Sequence, residues 1–176
     1  MKDDFTRAAI PESSLSMLIA AARRHVKHAV SSVVEPYGIN AYQCWMVLLL
    51  KERGPMSLSE LAGRMWMDHP TTSRLVHALE GIGLLQVQPD PSHGRKVLIS
   101  VHPGKTEAVE DIQARVAAYR ARMESGLGSD EKEVLHRALA RMIMNLRSLL
   151  DEEEGGKQNQ NLNVAPRRDM KASLTA

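Results

Sequence analysis

Cysteine is almost absent from this sequence, and so are long apolar runs. The single cysteine, Cys44, cannot form an internal disulfide, which excludes a disulfide scaffold or a multi-cysteine zinc finger and is typical of a reducing cytoplasm. No apolar run approaches the ~20 residues that a bilayer crossing needs, and residues 1–14 lack the apolar centre of a signal peptide. We therefore expect a cytoplasmic protein that does not enter the membrane.

Length and net charge narrow the class of protein further. The 176 residues fit one domain of ordinary size, and 43% hydrophobic with 25% charged residues is the composition of a folded globular chain. The formal net charge of +2 is too small to identify a partner by itself. Any nucleic-acid binding must therefore be argued from where the basic residues lie.

Apolar residues recur at spacings of three and four near both ends of the chain. This helical period runs over residues 13–35, and two further helices are predicted within residues 103–152. Their apolar seams exceed what a small lobe can cover, so we expect them to be dimerisation helices that pack between two chains of a homodimer. Residues 1–12 are expected to be a flexible N-terminus and residues 153–176 a disordered tail.

The middle of the chain, residues 40–102, reads as helix, turn, helix and β-ribbon. Ser57 and Glu60 form a capping box for a short helix, and Pro70 suits the first turn of the next one. Alternating apolar residues around Leu85 and Ile99 then predict two short strands. The whole of residues 13–152 is thus predicted to be one winged helix-turn-helix domain, mainly α with a small β-hairpin wing, whose DNA-binding lobe is residues 40–102.

The helix that begins at Pro70 has a polar outer face. Steps of 100° per residue turn Thr72, Leu75, Val76 and Leu79 inward and leave a guanidinium, an imidazole and small hydroxyls outside. Arginine can pair bidentately with guanine, and a basic hairpin tip can reach a minor groove or the phosphate backbone. The predicted DNA-contacting residues on the helix and wing are Pro70, Thr71, Ser73, Arg74, His77, His93, Arg95 and Lys96.

Other functions have less support in the residues. Four basic and four acidic residues cancel over residues 54–102, so strong nonspecific DNA binding is not expected, and a helical protein-interaction module without sequence-specific DNA binding stays an alternative. No G-x-S-x-G, Walker or H-E-x-x-H motif is present, so no enzyme and no cofactor are expected. His25 and His28 lack a further ligand nearby, and no metal site is predicted.

Four stretches resemble the MarR (multiple antibiotic resistance regulator) family of winged-helix transcription factors over about residues 12–152. They are Ile39–Gln43, Gly54–Ala62, Asp68–Val76 with the following Leu79–Glu80 and Gly83–Leu84, and Asp90–Arg95. The resemblance implies an obligate dimer, repression by promoter binding, and release by a small ligand between the dimer helices and the DNA-binding lobe. His93 departs from the family's aspartate two positions before the wing arginine, and Cys44 replaces its usual aromatic residue, which predicts extra pocket volume.

The resemblance also implies where an effector would bind. Basic residues of the first helix and aromatic residues of the second are suited to a small aromatic or phenolic acid. The predicted effector-binding residues are Arg23, Arg24, Lys27, Tyr42 and Trp45. Cys44 itself is interpreted as a buried, inert thiol, because no basic residue adjoins it. The predicted partners are therefore double-stranded DNA, a second copy of the chain and such an acid.

Overall fold

The computed structural model describes residues 14–91 and 96–162, with side chains as far as residue 152. The chain divides into two compact units, Met1–Glu124 and Ser125–Ala176. Within the described residues there are six α-helices and two strands. Along those same residues, no helix has the length and apolarity that crossing a bilayer requires.

The first unit begins with two helices joined by a short 3₁₀ turn. Helix α1 spans Leu15–Val34, the turn spans Glu35–Tyr37, and helix α2 spans Ala41–Arg53. Asn40 caps α2, because its side chain accepts hydrogen bonds from the backbone N–H groups at 42 and 43. Five residues of α2, including Cys44, are buried, so α2 forms the centre of the unit.

Helices α3 and α4 form the helix-turn-helix. Helix α3 spans Leu58–Met65 and begins with the predicted capping box, in which the Ser57 N–H donates to Glu60 Oε2 at 2.9 Å and the Glu60 N–H donates to Ser57 Oγ at 3.3 Å. Trp66 then adopts a left-handed conformation with φ 56°, which turns the chain sharply. Helix α4 follows over His69–Gly81, one residue longer at each end than predicted.

The wing is a two-stranded antiparallel hairpin. Strand β1, Leu85–Pro89, pairs with strand β2, Val97–Val101, in a register that sets Val87 opposite Ile99. Two backbone hydrogen bonds between Met56 and Ile99 attach the base of the hairpin to the segment before α3. The loop's tip at residues 92–95 lies outside the described residues.

Helix α5, Thr106–Met123, completes the first unit by packing on α1 and α2 with buried Val109, Ile112 and Val116. Helix α6, Ser129–Leu162, forms most of the described part of the second unit. It continues past residue 152, where the sequence predicts a disordered tail to begin. Glu, Lys and Gln favour helix, which accounts for the continuation despite two glycines.

The predicted winged helix-turn-helix, mainly α with a β-hairpin wing, is confirmed. The domain boundaries stay predictions, including the dimerisation role of residues 13–35 and 103–152. Residues 1–12 and the last part of the expected tail, residues 163–176, lie outside the described residues.

Candidate nucleic-acid interface

Helix α4 presents two different faces. Thr72, Val76 and Leu79 are buried beneath it, while Arg74 and His77 on the opposite side are exposed. The division follows from the helical period, because residues three and four apart share a face. The structure therefore leaves a polar surface of α4 accessible along the helix, as the periodicity predicts.

A chain of side-chain hydrogen bonds runs along the start of this helix. Asp68 caps α4: its Oδ1 accepts from the Thr71 backbone N–H at 2.7 Å and its Oδ2 accepts from the Thr71 hydroxyl at 3.0 Å. The Arg74 guanidinium donates from Nη2 to Thr71 Oγ1 at 3.2 Å. Asp68, Thr71 and Arg74 are thus linked in a row at the exposed N-terminal end of α4.

The acidic residues near this surface are held by local partners. Hydrogen bonds from the Thr71 backbone and hydroxyl lower the pKa of Asp68, and hydrogen bonds from Ser57 lower the pKa of Glu60. Glu80 Oε2 lies 3.5 Å from His77 Nδ1. Two of the four acids in residues 54–102 therefore take part in helix capping. Arg74 is exposed on the polar face of α4 and itself contributes to the lowered pKa of Asp68.

The remaining predicted DNA-contacting residues are only partly covered by the structure. Pro70 and Lys96 are exposed, and Thr71 and Ser73 are half-buried beside the outer face. Lys96 lies at the foot of the wing loop, where its carbonyl accepts a hydrogen bond of 2.8 Å from the Asp90 N–H. His93 and Arg95 lie outside the described residues.

A cleft of about 550 Å³ opens where α1, α2 and the helix-turn-helix meet. Arg23 and Tyr42 form one side, with the Arg23 guanidinium donating to the Tyr42 hydroxyl at 2.7 Å. Across from these two lies the turn between α3 and α4. The residues that the end of α3, the turn and the first half of α4 contribute are Met65, Trp66, Met67, Asp68, Thr71 and Leu75. The cleft therefore shares Asp68 and Thr71 with the start of α4.

The structure brings four of the five predicted effector residues together. Lys27 Nζ lies 5.5 Å from the centre of the Tyr42 ring, and the ring of Trp45 meets that ring edge to face at 5.3 Å. Arg23 and Tyr42 line the cleft directly, whereas Arg24 lines a separate surface depression along α1 with Arg23 and Lys27. Sequence reasoning missed Trp66, although a large aromatic residue in a short exposed turn is an available signal.

Cys44 lies in the core instead of on the wall of this cleft. It is 0% exposed, and burial raises the pKa of its thiol to about 11. Since the thiolate is the reactive form, the interpretation of an inert buried thiol agrees with this environment. Cys44 is not among the residues that line the cleft, and the extra pocket volume expected from it stays a prediction. Among the described residues, no group of three or more His, Cys, Asp or Glu side chains could hold a metal ion.

Comparison with known proteins agrees with this geometry. The family model described as "MarR family" matches residues 39–97, which include α2, the helix-turn-helix and the first strand. An HTH-type transcriptional regulator of Mycobacterium leprae is 33% identical over 103 residues, covering 55% of this chain and 67% of that protein.

Two solved structures share the fold. A MarR mutant from E. coli complexed with operator DNA superposes with a TM-score of 0.66 at 20% identity, over 74% of this chain and 94% of the other. CouR from Rhodococcus jostii bound to p-coumaroyl-CoA superposes with a TM-score of 0.69 at 24% identity, over 74% of this chain and 92% of that chain.

The fold, together with the similarity to the Mycobacterium leprae regulator, defines the class of this chain as a helix-turn-helix transcriptional regulator. More specifically, the chain belongs to the MarR family.

Proposed function

We propose that this protein is a homodimeric repressor of the cytoplasm that binds a palindromic DNA operator and responds to a small aromatic or phenolic acid. The observation that carries the DNA-binding part is the exposed outer face of α4, with Arg74 and His77 accessible above a buried apolar side. A helix of this width fits the major groove of B-DNA. The MarR neighbour complexed with operator DNA supports the same use of the fold.

Each predicted contact has a distinct role in this proposal. Arg74 reads a guanine edge, while the Ser73 hydroxyl and the His77 ring contact bases or phosphates. Thr71 belongs to the same interface through its hydrogen bond with the Arg74 guanidinium. Pro70 sets the entry of the helix into the groove. Wing residues His93, Arg95 and Lys96 contact the adjacent minor groove or backbone. Because the lobe carries balanced charge, binding depends on these placed contacts more than on a broad positive field.

A second copy of the chain is needed because a single lobe, with one recognition helix, would bind DNA only weakly. Helix α1 exposes Leu15, Met17 and Leu18, and α6 exposes a further set of apolar side chains. Those in α6 are Val134, Leu135, Ile143, Met144, Leu146, Leu149 and Leu150. Covering such side chains in a twofold dimer supplies the association energy. Two recognition helices about 34 Å apart then match one turn of DNA and a palindromic site.

The DNA-binding proposal is tested by fluorescence anisotropy with a duplex from the region upstream of the protein's own gene. Arg74→Ala should weaken specific binding by about tenfold or more, since a bidentate arginine–guanine pair contributes ~1 to 3 kcal/mol of discrimination. Arg120→Ala, an exposed arginine on α5, is the matched control and should bind normally. Solution mass by light scattering should give two chains in each particle.

Two results would contradict the proposal. Unchanged operator affinity in Arg74→Ala would remove that residue from the interface. No binding of any duplex at low salt would favour the interaction module instead. A reporter gene placed behind the bound duplex separates repression, in which deletion of the regulator raises expression, from activation, in which it lowers expression.

The ligand response is assigned to the cleft beside the start of α4. Arg23 supplies a cation for a carboxylate, while Tyr42 and Trp66 supply aromatic surface for a ring. An occupant would touch the turn that orients the recognition helix, which gives a physical route from ligand to DNA. CouR bound to p-coumaroyl-CoA shows a ligand on a relative of the same fold.

Thermal shift against a panel of phenolic and aromatic acids tests the cleft, because a ligand that binds only the folded protein raises its Tm. The shift from an active acid should be lost in Arg23→Ala and retained in Arg24→Ala, whose side chain lies outside the cleft. Equal loss in both variants would contradict the assignment to this cleft.

A further inference from the structure

The Thr71 hydroxyl occupies the middle of the hydrogen-bonded row at the start of α4. A hydroxyl carries one proton and two lone pairs, so when it donates to one partner its lone pairs are left for another. Here the proton is directed to Asp68 Oδ2 at 3.0 Å, and the Arg74 guanidinium donates to the oxygen at 3.2 Å. Asp68 therefore orients the proton of the Thr71 hydroxyl and leaves a lone pair of that oxygen for Arg74.

Two of the three residues in this row are restrained by their own surroundings. Asp68 is held because its other oxygen accepts the Thr71 backbone N–H at 2.7 Å, as the cap of the helix. Thr71 is half-buried, and its branched β-carbon restricts rotation about χ1. Arg74, in contrast, is an exposed, long side chain whose guanidinium would otherwise sample many rotamers. The hydrogen bond to the fixed Thr71 hydroxyl thus restricts the rotamers of the flexible Arg74 side chain.

We propose that Thr71 is a positioning residue, whose hydroxyl, oriented by Asp68, holds the Arg74 guanidinium ready for base recognition. This inference rests on the proposed function, in which Arg74 reads the DNA. Preorganisation lowers the entropy lost when a side chain is fixed on binding, so the row should strengthen specific binding without touching a base. It differs from a direct contact between Thr71 and DNA, which would act whether or not Arg74 is present.

The principal test is Thr71→Val, which keeps the size, the branching and the backbone N–H bonded to Asp68 but removes the hydroxyl. Affinity for the operator duplex should fall about three- to tenfold, the range for loss of one or two hydrogen bonds of modest net strength. Affinity for a scrambled duplex and the Tm should be almost unchanged. Thr71→Ser, which restores the hydroxyl, should recover most of the operator affinity.

A double-mutant cycle distinguishes positioning from direct contact. In the Arg74→Ala background, Thr71→Val should have no further effect on operator binding, because the group being positioned is gone. An equal effect in both backgrounds would overturn the inference and make Thr71 a direct DNA contact. Unchanged operator affinity in Thr71→Val alone would also overturn it.

A second variant acts from the other end of the row. Asp68→Asn keeps a good helix cap but replaces one accepting oxygen by a donating amide, so the Thr71 hydroxyl can no longer be oriented in the same way. It should lower operator discrimination as Thr71→Val does while α4 stays folded by circular dichroism. If Arg74→Ala itself leaves binding unchanged, the proposed DNA interface fails together with this inference, whereas additivity in the cycle overturns the inference alone.

Discussion

The DNA-binding lobe buries its large apolar side chains, whereas helix α6 leaves its own exposed. In the lobe, Leu61, Leu79, Leu85 and Ile99 are at most 1% exposed. In α6, Leu135, Leu146, Leu149 and Leu150 are between 50% and 60% exposed in the single chain. Both sets consist of large aliphatic side chains, so the difference lies in what covers them. The lobe completes its core within one chain, while the apolar side chains of α6 remain to be covered.

This contrast separates folding from assembly. A side chain already buried in one chain contributes to unfolding free energy at any protein concentration. A side chain that is buried only on association contributes in proportion to the dimer present, so its effect depends on concentration. The lobe and α6 should therefore respond differently to the same kind of substitution.

The largest effect is expected for Leu79→Ala at the base of α4. Leu79 is 0% exposed, and truncating a buried leucine costs about 2 to 5 kcal/mol, through lost apolar transfer and a residual cavity. Urea unfolding followed by circular dichroism should show this loss equally at low and high protein concentration. Ile82→Ala, on a side chain 46% exposed just after α4, is the control and should lose much less. Similar losses of unfolding free energy in Leu79→Ala and Ile82→Ala would contradict the distinction between buried and exposed positions.

The next effect should appear in assembly. Replacing Leu146 and Leu149 of α6 by glutamine together should weaken the dimer at least about tenfold, because each buried leucine is worth roughly 1.5 to 3 kcal/mol. Sedimentation equilibrium over a range of concentrations measures this change. Arg141→Gln, on another face of the same helix, is the control. A dimer unaffected by the double substitution would exclude this seam from the interface.

Local patterns were sufficient to predict most of the lobe but not the cleft. The capping box at Ser57 and the two faces of α4 depend on residues within a few positions of one another, which spacing reveals. The cleft depends on contacts between distant segments, as in the approach of Arg23 to Trp66. Spacing cannot predict such an approach, because it is fixed by how the helices pack. The left-handed conformation of Trp66, rare for a bulky residue, was equally hidden from the sequence.

A smaller effect is expected from the cap of α3. Ser57→Ala removes the oxygen that accepts the Glu60 N–H, and loss of such a cap costs typically ~1 kcal/mol. The loss should be independent of protein concentration, because α3 belongs to the lobe. Ser59→Ala, an exposed serine in the first turn of the same helix, is the control and should change stability by less than about 0.5 kcal/mol. A concentration-dependent loss for Ser57→Ala would show that the lobe, too, is stabilised by association.

The smallest effect should depend on pH and involves a polar link within the first unit. The Tyr37 hydroxyl donates to Asp111, 74 positions along the chain, and Arg115 Nε donates to the same oxygen at 3.1 Å. These two hydrogen bonds, that from Tyr37 first, lower the pKa of Asp111. A lowered pKa means that ionised Asp111 stabilises the folded state above its unfolded pKa of about 3.9, and that this contribution disappears as the pH falls through the folded value.

Tyr37→Phe removes the hydrogen bond that contributes most to lowering the pKa of Asp111, and should bring that pKa closer to its ordinary value. Its unfolding free energy should therefore fall below that of the natural protein near neutral pH, and the two should converge as Asp111 becomes protonated below about pH 4. Urea titrations at a series of pH values measure the difference, with Tyr119→Phe on α5 as the control. A gap that stays constant down to acidic pH would mean that the Tyr37 hydroxyl stabilises the folded state by a contribution that does not depend on the charge of Asp111, and would contradict the electrostatic role of this hydrogen bond.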